Sequence, residues 1–90
     1  PDFADAHSNL GNILKSLNKL QKAEKAYRKA IELNPNLADA AYQISLILSN
    51  QKYYNKALIE INKAIDKDPN NYVYQAEKTR LIYLIGERDN

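Results

Sequence analysis

Side chains that could do chemistry are few in this 90-residue chain, and they are scattered. His7 is the only histidine and there is no cysteine, so the ligands of a His-based or thiolate zinc site are missing and no disulfide framework can form. Gly11 and Gly86 are isolated, so no glycine-rich loop could cradle a phosphate. The carboxylates fall mostly at expected helix starts or on solvent faces, as with Glu24 placed four residues before Arg28 to support a helix. Lys22, Lys25, Arg28 and Lys29 form the densest basic cluster. Glu24 and Glu32 interrupt it, so it reads as the solvated back of a helix and not as an anion site. These residues predict a chain that is not an enzyme and takes no metal or cofactor.

Composition narrows the remaining classes. With 44% apolar and 27% charged residues the chain is that of a folded domain and not of a disordered segment. Thirteen Lys plus Arg against eleven Asp plus Glu leave a net charge of +2, too small to predict nucleic-acid binding without a clustered basic face. No apolar run approaches the ~20 residues of a membrane span, and the first residues lack the basic and apolar regions of a signal peptide. The expectation is no membrane association and a cytoplasmic location.

The elements that position the polar residues follow from a repeat. Pro1, Pro35 and Pro69 are spaced 34 residues apart. Ungapped comparison of residues 1–34 with 35–68 gives eleven identities, among them Ala4/Ala38, Ile13/Ile47, Ala23/Ala57 and Ala30/Ala64. Chance would give roughly two. A period in this range is the mark of stacked repeats, here 1–34, 35–68 and a half unit at 69–90.

Each full unit contains two helical stripes. Ala6, Leu10, Ile13, Leu14 and Leu17 recur at helical spacing and predict a core-facing helix over about residues 4–17, with Asp2 or Asp5 as its cap. The stripe loses phase at Asn18, which tolerates positive φ. A second stripe of Leu20, Ala23, Tyr27, Ala30 and Ile31 ends at Asn34-Pro35, because the residue before proline leaves helical geometry. The second unit repeats this with Ala41, Ile44, Ile47 and Leu48, a turn near residues 50–53, and Tyr54, Ala57, Leu58, Ile61, Ala64 and Ile65. One more helix is expected at about 72–85, giving five in all.

In this register the chain resembles the tetratricopeptide repeat family, whose unit reads W-x2-L-G-x2-Y, then A-x3-F, then P. Unit 1 carries His7-x2-Leu10-Gly11-x2-Leu14, Ala23-x3-Tyr27, Ala30 and Pro35; unit 2 carries Ala41-x2-Ile44-Ser45-x2-Leu48, Ala57-x3-Ile61, Ala64 and Pro69. The tryptophan positions hold His7, Ala41 and Gln75, and Lys78 stands where the third copy should have leucine. Small residues at Gly11, Ser45 and Thr79 would let one helix approach Ala23 and Ala57 of the next. The resemblance implies an all-α solenoid, a right-handed superhelix of about two and a half helix-turn-helix units. It also implies a non-catalytic protein-interaction module that holds an extended peptide in a concave groove lined by the first helix of each unit.

Carried over by register, that groove would include Ser8, Asn9, Asn12 and Lys15, then Tyr42, Gln43, Leu46 and Asn50, then Glu77 and Arg80. Side-chain amides recur there, and an amide offers both donor and acceptor to a peptide backbone. The carboxylate clamp of co-chaperones in this family would fall on Ser8, Asn12, Gln43, Val73 and Glu77, where only Asn12 matches, so acidic chaperone tails are not expected to bind. The stretch from Phe3 to Leu10 and that from Tyr27 to Ile31 are similar to repeats of O-linked N-acetylglucosamine transferases, in which an asparagine at the place of Asn9 holds substrate backbones. Two further readings are a substrate-docking arm of a larger enzyme, such as a glycosyltransferase or sulfotransferase, and a scaffolding module.

Methionine is absent, which suggests a segment of a longer chain. In the half unit, Leu81, Ile82 and Ile85 would face a missing helix, while Gln75 and Lys78 would adapt that face to water as a cap. Residual apolar surface there, with Ile59 on an outward position, predicts weak homodimerisation through the C-terminal helix.

Overall fold

The computed structural model describes residues 3–88. Five helices follow one another: α1 (Phe3–Ser16), α2 (Leu20–Leu33), α3 (Ala38–Asn50), α4 (Tyr54–Lys67) and α5 (Tyr72–Arg88). Asp2 lies outside the described residues; Asp5 sits inside the first turn of α1, where its charge complements the helix dipole. Helix α5 runs three residues beyond the expected end. Its start is capped by Asn71, whose Oδ1 accepts the backbone N–H groups of Val73 (2.9 Å) and Tyr74 (3.3 Å).

The turn inside each hairpin is the same device used twice. After α1, Asn18 adopts φ 60°, and the N–H groups of Asn18 and Lys19 donate to Lys15 and Leu14 carbonyls. After α3, Lys52 adopts φ 69°, and the N–H groups of Lys52 and Tyr53 donate to Ser49 and Leu48. This paired bonding satisfies the last carbonyls of each helix through one left-handed residue. Asparagine signals that conformation in sequence and lysine does not. Between units, Asn34 and Asp68 are extended (φ −144° in both) before their prolines, as the residue preceding proline requires.

The helices pack mainly on their neighbours in sequence, which draws the chain into a slab of 47 × 28 × 17 Å. Tyr27, Ile44, Ile47, Ile61 and Leu81 form the sealed core, with Ala23, Ala30, Ala57 and Ala64 at the close approaches. A Cβ added to Gly11 would lie 2.6 Å from the Tyr27 ring. The small residue is thus required chiefly by the aromatic of the opposite helix and not by Ala23. Tyr27 is fully buried, and its hydroxyl donates to Asn12 Oδ1 at 2.5 Å. Ser45 is buried and donates to the Tyr42 carbonyl, whereas Thr79 is exposed and donates to that of Gln75.

The stripe of α1 departs from expectation. Leu14 is partly buried, but Ala6, Leu10, Ile13 and Leu17 are exposed. Ile13 is 58% exposed, while its register equivalents Ile47 and Leu81 are 2% and 0% exposed. The reason is that α2 covers α3 and α4 covers α5, whereas among the described residues no helix covers that side of α1. At the other end Leu81 is buried, Ile85 is partly buried and Ile82 is exposed beside the exposed Gln75 and Thr79. Both ends of the stack therefore carry exposed apolar side chains: Phe3, Leu10 and Ile13 on α1, and Tyr72, Val73, Ile82 and Tyr83 on α5.

Three outcomes follow. Gly11→Ala should lower stability by about 1–2 kcal/mol, an overpacking loss partly offset by helix propensity, while Gly86→Ala, with nothing within 4 Å of its added Cβ, should not; urea midpoints compare them. Lys52→Gly should raise the melting temperature by a few degrees through relief of about 0.5–1 kcal/mol of left-handed strain, read by circular dichroism. Burial, and then the charge of Asp39, pushes the Tyr27 hydroxyl up to about 12 from its ordinary 10.0. The folded state therefore favours the neutral phenol, so this contribution is complete below pH 10 and is lost as pH rises toward 12. In Tyr27→Phe that alkaline loss should be smaller, with about 0.5–1.5 kcal/mol already missing at neutral pH, as denaturation across pH 7–12 would measure.

Candidate interaction groove

The first helix of each unit places its remaining side chains on one face. On α1, Asn9 and Asn12 are exposed, and Ser8 and Lys15 are partly buried. On α3, Tyr42, Gln43 and Leu46 are partly buried and Asn50 is exposed. On α5, Arg80 is exposed and Glu77 is buried.

Cross-helix bonds join these rows. The Lys15 ammonium donates to Gln43 Oε1, connecting α1 to α3 across 28 residues of sequence. The Arg80 guanidinium donates from NH2 to Ser49 Oγ at 2.6 Å, connecting α5 to α3. Tyr42 packs against Tyr74 with ring centroids 5.0 Å apart, within the range of favourable aromatic pairing. Ser8, Asn9, Leu46 and Asn50 are not tied into these side-chain bonds.

Five of the expected groove side chains, Asn12, Lys15, Gln43, Glu77 and Arg80, are hydrogen-bonded within the protein itself. Glu77 accepts from Arg80 Nε at 2.9 Å and from Arg80 NH2 at 2.8 Å. It is a buried support for the guanidinium and not a free anion in the groove. That hydrogen bond is the first cause raising the Arg80 pKa above its ordinary value. Burial, followed by the charges of Glu77 and Asp39, raises the Tyr42 hydroxyl, so its phenol is neutral at physiological pH. Asn12 has its carbonyl oxygen occupied by the Tyr27 hydroxyl, which leaves its N–H groups outward.

Two contributors escape the sequence reading. Tyr74 is the register equivalent of Ala6 and Ala40, so nothing in the repeat marks it as a ring that would reach Tyr42. The Tyr27 hydroxyl belongs to a core position, and only the folded hairpin brings it to Asn12. Among the described residues no group of His, Asp and Glu is arranged to hold a metal ion, and no helix is long and apolar enough to cross a membrane.

Comparison with known proteins agrees with this architecture. The tetratricopeptide repeat family matches residues 4–37 and again residues 38–71. The human protein O-mannosyl-transferase TMTC3 is 39% identical over 77% of the chain, and the chain spans 8% of that relative. The UDP-N-acetylglucosamine--peptide N-acetylglucosaminyltransferase of Giardia intestinalis is 34% identical over 79% of the chain, which spans 5% of it. Among solved structures, MamA superposes with a TM-score of 0.90 at 27% identity, covering 98% of this chain and 52% of MamA. YrrB, described as a TPR protein with an unusual peptide-binding site, gives 0.84 at 25% identity over 89% of this chain and 41% of YrrB. With two adjacent 34-residue matches, five helices in hairpin order and the same fold in both solved structures, the chain belongs to the tetratricopeptide repeat family.

Proposed function

We propose that the chain is a non-catalytic module that binds an extended polypeptide segment along the face formed by α1, α3 and α5. The observation that carries this reading is the orientation of two amides. Asn12 Oδ1 accepts from Tyr27 and Gln43 Oε1 accepts from Lys15, so both side chains have their oxygens engaged and their N–H groups free. They act as oriented donors to the carbonyls of a bound backbone, and a donor already held in place costs less entropy on binding. Asn9 and Asn50 add amides without a fixed partner, while Tyr42 and Leu46 supply apolar contact between them. Backbone recognition of this kind accepts many sequences, which suits a docking surface more than a lock for one motif. A contact face of this size supports affinities of about micromolar order.

A second reading places the same groove in a larger enzyme as the arm that presents substrate to a transferase domain. It is favoured by the relatives that are transferases, such as the two named above, of which the chain matches only 8% and 5% of the length.

A peptide array probed with wild type and with Asn9→Ala/Asn12→Ala/Gln43→Ala tests the groove. Capture should fall roughly tenfold or more, because each lost hydrogen bond is worth about 0.5–1.5 kcal/mol. Asn9→Ala/Gln43→Ala, which leaves the Tyr27 bond intact, should show most of that loss. Equal capture by all three proteins would refute the reading.

A further inference from the structure

Helices α3 and α5 each carry a second helix on one side, α2 and α4 respectively; α1 carries none there among the described residues. At the positions so covered, Ala40, Ile44 and Ile47 of α3 are buried, and so are Tyr74 and Leu81 of α5. The register equivalents on α1 are Ala6, Leu10 and Ile13, all exposed, and Phe3 and Leu17 extend the row to both ends. Leu17 keeps the helical register, since its N–H donates to the Ile13 carbonyl at 3.0 Å. Together these side chains expose roughly 400 Å² of apolar surface, within the ~300–600 Å² of a monomer's largest patch, which is often functional.

The row reads almost alike from either end. Phe3, Ala6, Leu10, Ile13 and Leu17 follow one another at steps of three, four, three and four, so a second α1 laid antiparallel matches the first. Turned about an axis through Leu10, Phe3 of each copy meets Leu17 of the other, the small Ala6 meets the large Ile13, and Leu10 meets itself. Self-matching of this kind is what a two-fold contact requires. Antiparallel is also the direction in which α2 lies on α3 and α4 on α5, as short connections between helices dictate. Asp5 and Lys15 are the only Asp, Glu, Lys or Arg residues of α1, and by helical geometry both lie on the side away from Leu10, so neither faces the contact. Helix α5 lacks such a row, because the exposed Ile82 shares its side with Gln75, Lys78 and Thr79.

We infer that the outer face of α1 is a homodimer contact, taken by α1 of a second copy of this chain in antiparallel register about Leu10. Two such patches with their rims bury roughly 1,000 Å², short of the ~1,200 Å² at which stable interfaces begin, so the dimer is weak and forms with concentration. Asn12 and Lys15 are turned inward to Tyr27 and Gln43, and the groove of each copy stays open. A dimer thus offers two grooves to one partner, which strengthens capture by avidity.

Sedimentation velocity from about 10 µM to about 1 mM tests the contact, with half of the chain dimeric on the order of 100 µM. Leu10→Lys and Ile13→Lys, both at exposed positions, should keep the helical circular dichroism and raise the dissociation constant roughly tenfold or more, because each sets a charge inside an apolar contact. Ile82→Lys and Gln43→Ala should leave it unchanged, the latter separating failure here from failure of the groove. The chain has no cysteine, so oxidation of single-cysteine variants reads the register. Leu10→Cys should cross-link to itself, since only a residue on the axis meets its own copy, whereas Leu17→Cys should cross-link to Phe3→Cys and not to itself. A monomer throughout the concentration range, a dimer indifferent to both α1 lysine substitutions or equally sensitive to Ile82→Lys, or Leu17→Cys cross-linking to itself as readily as Leu10→Cys would each overturn the assignment.

Discussion

The packing of the Tyr27 ring on the bare backbone of Gly11 sets the geometry of the first hairpin, and much of the molecule depends on it. Because no side chain separates the ring from α1, the two helices approach closely enough for the Tyr27 hydroxyl to pass through and reach Asn12. A core contact thereby fixes the amide on the outer face. The second hairpin meets the same requirement with the register pair Ser45 and Ile61, both fully buried. There an aliphatic side chain replaces the ring, and the hydroxyl of Ser45 turns back onto its own helix instead of reaching across. The two units therefore share a backbone arrangement and differ in how the interior communicates with the groove.

Periodicity made most of the fold legible. The prolines and the eleven identities locate the units, and the stripes locate five helices to within a few residues, since burying one face of a helix demands that spacing. Periodicity identifies an apolar face but not what covers it. Leu10 and Ile13 carry the same stripe as their equivalents Ile44 and Ile47 in α3, and they are exposed because no helix among the described residues lies alongside. The left-handed turn at Lys52 was legible as a place and not as a residue, because lysine has no preference that announces positive φ.

The groove was legible as a set of positions and less so as a set of roles. Register places Asn12, Gln43, Glu77 and Arg80 on the first helices, but hydrogen bonds decide which atoms remain free. Glu77 counts as an anion when charges are summed along the sequence. In the fold it is buried beneath Arg80, and the guanidinium is the exposed charge of the pair. A cleft between α2 and α4, lined by Ile31, Leu37, Ala41 and Glu60 among others, shows the same limit from the other direction. Ala41 reads in sequence as a lost aromatic, and only the placement of α2 and α4 turns that loss into a space with a carboxylate in its wall.

The neighbour-to-neighbour packing of the helices has a kinetic side. With contacts made almost entirely between successive elements, no long loop must close before burial begins, and segments can open from either end without dissolving the rest. Helix α3 is held from both sides and buries seven of its thirteen residues, while α1 buries two of fourteen. Local opening is cheapest where burial is least. The middle of the groove, at Tyr42, Gln43 and Leu46, is thus its stiff part and the α1 end its yielding part. A bound segment would be registered at the centre and accommodated at the edge, so tolerance of partner sequence is graded along a single binding face.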